Sequence, residues 1–363
     1  MKNLFVVILS VFLFACQPKS PENGDKFKVF RGTNIAHWLS QSTARGTERE
    51  QFFTKTDVDS IAAMGFDHVR LPIDEEQMWN EKGDRNTDAF RLMTNCIDWC
   101  AEKNLRVIVD LHILRSHHFN AEVKPLWTDP KEQEKFYNLW IDLSNELKKY
   151  PNSLVAYELM NEAVADDPEL WNNLLATAFK TIRAQEPERT IVIGSNKWQQ
   201  VQTFPDLKVP ANDPNIILSF HFYEPFLLTH WNAGWTNQKG YTGPVHYPDT
   251  ILTQTEFNQL PDEMKKIVAD KVGRVYNKTW ILEQWQNPIN KAKELGLPLY
   301  CGEFGIITGP QQEDMIRWYQ DMVDLFEENG IAYANWNYKS GSFGLIDDEG
   351  KRREDFIKIM TGK

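Results

Sequence analysis

The sequence predicts a single (β/α)8 barrel. Three observations carry that expectation. Eight short, apolar, β-rich runs recur along the 363 residues, helical patterns separate them, and the runs end on polar or aromatic residues. Runs that are apolar throughout suit strands buried on both faces of a parallel sheet, and helical connections suit right-handed crossovers. Eight such units fit the closed barrel. A doubly wound open sheet is the alternative, although it usually needs fewer units.

The runs come in order. KVFRGTNIA (28–36) is the first, and GFDHVRLP (65–72) follows the helical TDVDSIAAM. LRVIVDLH (105–112) follows a helix with Phe90, Met93 and Ile97 on one face. SLVAYELMNE (153–162) follows a stripe of Phe136, Trp140, Leu143 and Leu147. RTIVIGS (189–195) and NIILSFHFY (215–223) are the fifth and sixth. GLPLYCGEFG (296–305) is the seventh, after a helix that starts near Thr279, and GIAYANWNY (330–338) is the eighth. Residues 222–260 stand out as a long connection with little helical periodicity, rich in Trp and Tyr. A connection of that length inside a compact domain usually has a function.

Composition narrows the class. An apolar fraction of 42% and a charged fraction of 25% fit a soluble globular domain. The net charge of −11 argues against a nucleic-acid partner. The 13 Trp exceed what a core alone needs. MKNLFVVILSVFLFAC reads as an export signal: a Lys at position 2, an apolar stretch, then a small residue before Cys16. Leu13-Phe14-Ala15-Cys16 resembles a bacterial lipobox, with Cys16 as the lipidated residue; an ordinary secretory signal is the alternative. Residues 1–16 are thus expected to be a signal, 17–27 a polar tether, and 28–363 the catalytic domain. The expected location is the bacterial envelope, anchored by lipid in the outer membrane. Cys96, Cys100 and Cys301 are an odd set, and the first two have a helical spacing that suits disulfide geometry poorly. They read as buried thiols.

Active-site side chains of this barrel come from the C-terminal ends of the strands. Those ends carry Asn34 with His37-Trp38, Arg70, His112, Asn161-Glu162, Ser195-Asn196, His221 with Tyr223, Glu303, and Trp336. Two carboxylates on nonadjacent strands suit glycoside hydrolysis, where one acid protonates the leaving oxygen and the other attacks or activates water.

SLVAYELMNE and LYCGEFG resemble the fourth- and seventh-strand motifs of glycoside hydrolase family five, whose members are retaining (β/α)8 glycosidases. GFDHVRLP, VIVDLH, SFHFYEPF and ANWNYKSGSFGL extend the resemblance over residues 28–350. It implies Glu162 as acid/base and Glu303 as nucleophile. Asn161 would bond the sugar 2-hydroxyl, Arg70 and Tyr223 would flank Glu303, and His221 would lie by Glu162. His112 would contact the sugar before the cut, and Trp336 would floor that subsite. Trp38 and His118 are further candidates for the sugar. Trp231 and Trp235 are either sugar platforms or loop packing. The sequence departs from relatives after DLH, where ILRSHHFN replaces a Pro-Gly turn and leaves the roles of His117 and His118 open. The charge of Glu303 is expected to keep the proton on Glu162.

The implied substrate is a β-1,4-glucan, with mannan, xyloglucan or β-1,3-glucan as alternatives. No cofactor is expected, and the chain is expected to act as a monomer. Two other readings share the fold. A glycan-binding barrel without catalysis would keep the aromatics and lose an acid. A metallohydrolase could use Asp110, His112, His117 and His118, but zinc ligands would also be expected from other strands.

Overall fold

The computed structural model describes residues 26–363. The expected signal and Cys16 lie outside the described residues. Eight parallel strands close a barrel: β1 (Arg31–Asn34), β2 (His68–Asp74), β3 (Arg106–Ile113), β4 (Val155–Glu158), β5 (Ile191–Gly194), β6 (Ile216–His221), β7 (Leu299–Phe304) and β8 (Ala332–Asn335). β1 pairs with both β2 and β8, which closes the ring. All eight runs found in the sequence are strands.

The outer helices include α1 (Lys55–Met64), α2 (Thr87–Glu102), α3 (Pro130–Leu147), α4 (Pro168–Gln185), α5 (Gln286–Leu295), α6 (Gln312–Asn329) and α7 (Glu354–Thr361). Local chemistry sets their ends. α3 and α4 each begin with a Pro whose missing N–H would be unpaired anyway, capped by Asp129 and Asp167. α6 ends at Gly330 in the left-handed conformation. Cys96 and Cys100 are free and buried under α2, and Cys301 is free and buried in β7.

Two connections differ from the expected rhythm. β5 and β6 are joined by short helical turns at Asn196–Gln199 and Val201–Asp206 instead of a full helix. Between β6 and α5 the chain builds an insertion. It holds short helices and a two-stranded antiparallel ribbon of Asp249–Thr250 with Val275–Tyr276.

The barrel interior is layered. At its N-terminal end Ile108, Ala156, Val192, Ile217, Tyr300, Ala332 and Ala334 form an apolar layer. Phe27 packs on this layer and is 8% exposed. Phe27, one residue before the expected boundary at 28, thus closes the floor. Above the floor the interior turns polar, and that layer carries the site.

Phe27→Ala should lower the unfolding free energy by about 3 kcal/mol, through lost burial and the cavity left behind. Urea titration followed by Trp fluorescence measures it.

Candidate active site

The site is organised around Arg70, which is fully buried on β2. Its five N–H bonds all have acceptors. Nε and Nη2 grip Glu158 at 2.6 and 3.0 Å. Nη1 donates to Asn34 Oδ1 at 2.9 Å and to Glu303 Oε1 at 2.8 Å. Nη2 also donates to Asn161 Oδ1 at 2.8 Å. Asp110 Oδ2 lies 3.0 Å from Nη2. A planar guanidinium can serve so many acceptors only when strands set them in fixed directions. Here β1, β3, β4, β7 and the loop after β4 supply them.

Glu162 follows β4 and Glu303 lies on β7. Glu162 Oε1 is 2.9 Å from His221 Nδ1, and Glu303 Oε2 accepts from Tyr223 Oη at 2.9 Å. One oxygen of each acid and one His221 nitrogen lie within 4.8 Å of one another. Both acids are pushed above the ordinary glutamate range, Glu162 much further. Burial is the largest cause for Glu162, and the charge of Glu303 comes second. The expected order of causes is thereby corrected: a desolvated carboxylate is costly before any neighbour is counted. Glu303 is raised by burial but held back by Arg70 and the Tyr223 hydroxyl. The proton therefore resides on Glu162 in preference to Glu303.

His112 donates or accepts at Nδ1 with Asp110 Oδ2, 2.7 Å away, and its ring stacks on Trp336 at 5.4 Å. Burial lowers its pKa to about 3, so the ring is neutral. Asn161 turns its Oδ1 to Arg70, and its Nδ2 lies 3.4 Å from His112 Nε2. Trp336 follows β8 at the mouth of the barrel.

A cleft of about 680 Å³ opens on the Glu162 side. Phe119, Trp198, Tyr223, Phe226, His230 and Trp235 line it. Trp235 is 59% exposed there.

Other candidates fall elsewhere. Trp38 is fully buried and donates its indole N–H to the Arg49 carbonyl, so it cannot touch a sugar. Strand-end position alone does not reveal which way a side chain turns once the strand has ended. Trp231 donates to the Gly243 carbonyl and packs against Gly309, which makes it loop packing. His118 is an exposed rim residue whose ring meets Phe119 instead of the acid pair. His117 is buried and accepts the Val164 N–H, bracing the loop that carries Glu162. Asp110 and the three histidines therefore do not converge. Among the described residues, the metal-like donors that do converge are Glu162, His221 and Glu303.

Sequence reading passed over Glu158, Gln199, Gln41 and Trp198. Glu158 had a signal: an acid inside an otherwise apolar strand, two residues from Ala156 on the inward face. Gln41 reaches His112 Nε2 at 3.1 Å, and its backbone N–H donates to Asp74 Oδ2 at 2.7 Å. Lys197, Trp198 and Gln199 have φ of 53, 62 and 54°, a left-handed run of three side-chain-bearing residues. Nothing in their sequence announces it.

An acid pair of this spacing, on the C-terminal face of a (β/α)8 barrel and beside an aromatic cleft, defines a glycoside hydrolase. Residues 22–342 match the model of the cellulase family, glycosyl hydrolase family 5. The chain belongs to that family. It is 31% identical to endoglucanase C of Acetivibrio thermocellus, over 91% of this chain and 97% of that one. It is 30% identical to cellodextrinase A of Ruminococcus flavefaciens, over 84% of each chain. A structure of Thermotoga maritima Cel5A in complex with mannotriose superposes with a TM-score of 0.72 at 25% identity, covering 92% of this chain and 97% of that one.

Asp74 offers a test of the loop that carries Gln41. Burial raises its pKa from 3.8 to about 7. An acid whose folded pKa is raised stabilises the fold below its unfolded pKa, and that contribution is lost as pH rises through 7. The stability of Asp74→Asn relative to the parent should therefore be more favourable at pH 8 than at pH 4.5. Urea midpoints of both proteins at the two pH values measure this, and equal differences would refute it.

Proposed function

We propose that the chain is a retaining endo-β-1,4-glucanase, with Glu303 as nucleophile and Glu162 as acid/base. The observation that carries this reading is the unequal pair of acids with oxygens within 4.8 Å. Retaining enzymes hold their carboxyls about 5–5.5 Å apart, whereas inverting enzymes leave room for a water between them. The cellulase family supports the linkage, and the endoglucanase name of the Acetivibrio relative supports the internal cut.

In the first step Glu303 attacks the anomeric carbon as the glycosidic C–O bond breaks. Glu162 gives its proton to the departing oxygen. A glycosyl ester on Glu303 results, and the reducing-end fragment leaves through the Glu162-side cleft. In the second step water attacks the same carbon, Glu162 takes the water proton, and the ester bond to Glu303 breaks. Two inversions leave the β-configuration intact. Arg70 and Tyr223 keep Glu303 ionised and aimed. Trp336 gives a pyranose an apolar floor, and Asn161 presents its amide to the 2-hydroxyl. The Thermotoga Cel5A complex with mannotriose keeps mannan as the second substrate reading.

Glu303→Ala should lower kcat on soluble β-1,4-glucan by at least about 10⁴-fold. Proton NMR of the first product should show the β-anomer before mutarotation; an α-anomer would refute retention. Activity should follow a bell-shaped pH curve, falling at low pH as Glu303 takes a proton and at high pH as Glu162 loses one.

The same proposal places the enzyme outside the cytoplasm, tethered by lipid at Cys16, as a monomer. The apolar leader and the Leu13–Cys16 motif support export and the anchor. Cys16→Ala should move the protein from the membrane fraction to the soluble fraction, and fatty-acid labelling should disappear. An unchanged distribution would refute the anchor.

A further inference from the structure

Beneath the acid pair, three buried polar atoms lack a hydrogen-bond partner: Gln199 Oε1, Ser219 Oγ and His221 Nε2. Their residues are 1%, 0% and 5% exposed. They meet at one corner of the barrel. Ser219 and His221 are two apart on β6, so both face inward. Gly194 on β5 is the register partner of Ser219. The Gln199 carboxamide occupies the place of a Gly194 side chain: a Cβ there would lie 2.3 Å from Gln199 Oε1. On the other side, a Cβ on Gly302 would lie 3.1 Å from both Ser219 Oγ and His221 Nε2. Gly302 sits where the β6–β7 register shifts, between the Phe220↔Cys301 and His221↔Glu303 pairs. Two glycines flanking one serine thus give these three atoms a common small space.

The left-handed run at Lys197–Gln199 now has a reason. Such a conformation costs roughly 1–2 kcal/mol per residue, so it persists only where the surroundings impose it. It turns Gln199 inward, where Nε2 donates to Glu158 Oε1 at 2.9 Å. The Gln199 carbonyl is then left pointing into the corner.

We propose that Gln199, Ser219 and His221 hold one internal water, and that Ser219 and Gln199 are positioning residues acting through it on Glu162. The donor count closes. Ser219 donates its hydroxyl proton to the water, and the water donates to Gln199 Oε1 and to His221 Nε2. A buried polar group left unpaired costs about 1–3 kcal/mol, so one water relieves three such costs. The consequence reaches the chemistry. His221 is fully buried and neutral, its pKa driven down by burial first and by Arg70 second. With Nε2 an acceptor, its single proton must sit on Nδ1 and be donated to Glu162 Oε1. The catalytic proton of Glu162 is then confined to Oε2. The opposite tautomer would draw that proton to Nδ1, away from the leaving oxygen.

The inference rests on the reading of Glu162 as acid/base, and the experiment separates the two. kcat/KM is measured on phenyl and 2,4-dinitrophenyl β-cellobiosides, since the second leaving group needs no proton. Ser219→Ala should lose about tenfold on the phenyl substrate and less than about twofold on the dinitrophenyl one. The ¹⁵N shifts of wild-type His221 should report a proton on Nδ1. Equal losses on both substrates, or a wild-type proton on Nε2, overturn the proposal. Glu162→Ala is the control for the underlying reading. If it too loses equally on both substrates, the acid assignment itself has failed.

Discussion

A buried guanidinium cannot stand alone in a barrel, and Arg70 obliges its surroundings to match it. Removing one partner from a buried ion pair typically costs about 3–5 kcal/mol. Every N–H of Arg70 is therefore met, by acceptors on β1, β4 and β7 and in the loop that carries Glu162. This one cation fixes Glu303, turns the amide of Asn161 and binds Glu158. It also explains the layering: an apolar floor sealed by Phe27, then a polar storey that only charge pairing and hydrogen bonding can make tolerable.

The same cation shapes the unequal acids. Glu303 touches it directly, whereas Glu162 touches a neutral histidine. Two carboxyls of one residue type thus receive opposite tasks from their neighbours. Asp110 and Glu158 take part from behind. They offset the charge of Arg70, so that it does not strip Glu162 of its proton as well.

The connections after the strands decide what reaches this chemistry. The absence of a full helix between β5 and β6 lets Asn196–Asp206 lie over the barrel mouth, with Trp198 facing the cleft and Gln199 facing the interior. The insertion after β6 supplies Phe226, His230 and Trp235 to the other wall. Trp231 fastens that insertion through the Gly243 carbonyl and the close approach to Gly309. A Trp-rich segment thus divides its residues between scaffold and surface.

Strand number, strand order and the candidate acids were legible in the sequence because each depends on local pattern. Alternation of apolar runs with helices specifies the barrel, and a strand end specifies a place at its mouth. Glu162, Glu303, Arg70, His112 and Trp336 follow from that rule together with residue type. What happens beyond the strand end does not follow from it. Trp38 turns into the core, His117 turns under the Glu162 loop, and Gln199 arrives through a left-handed turn. The ranking of causes at Glu162 was also hidden, since desolvation depends on everything packed around the carboxyl. The sequence by itself determined which groups stand at the barrel mouth. Only the tertiary structure decided how far each is stripped of water and which partner it meets, and those two quantities set where the protons lie.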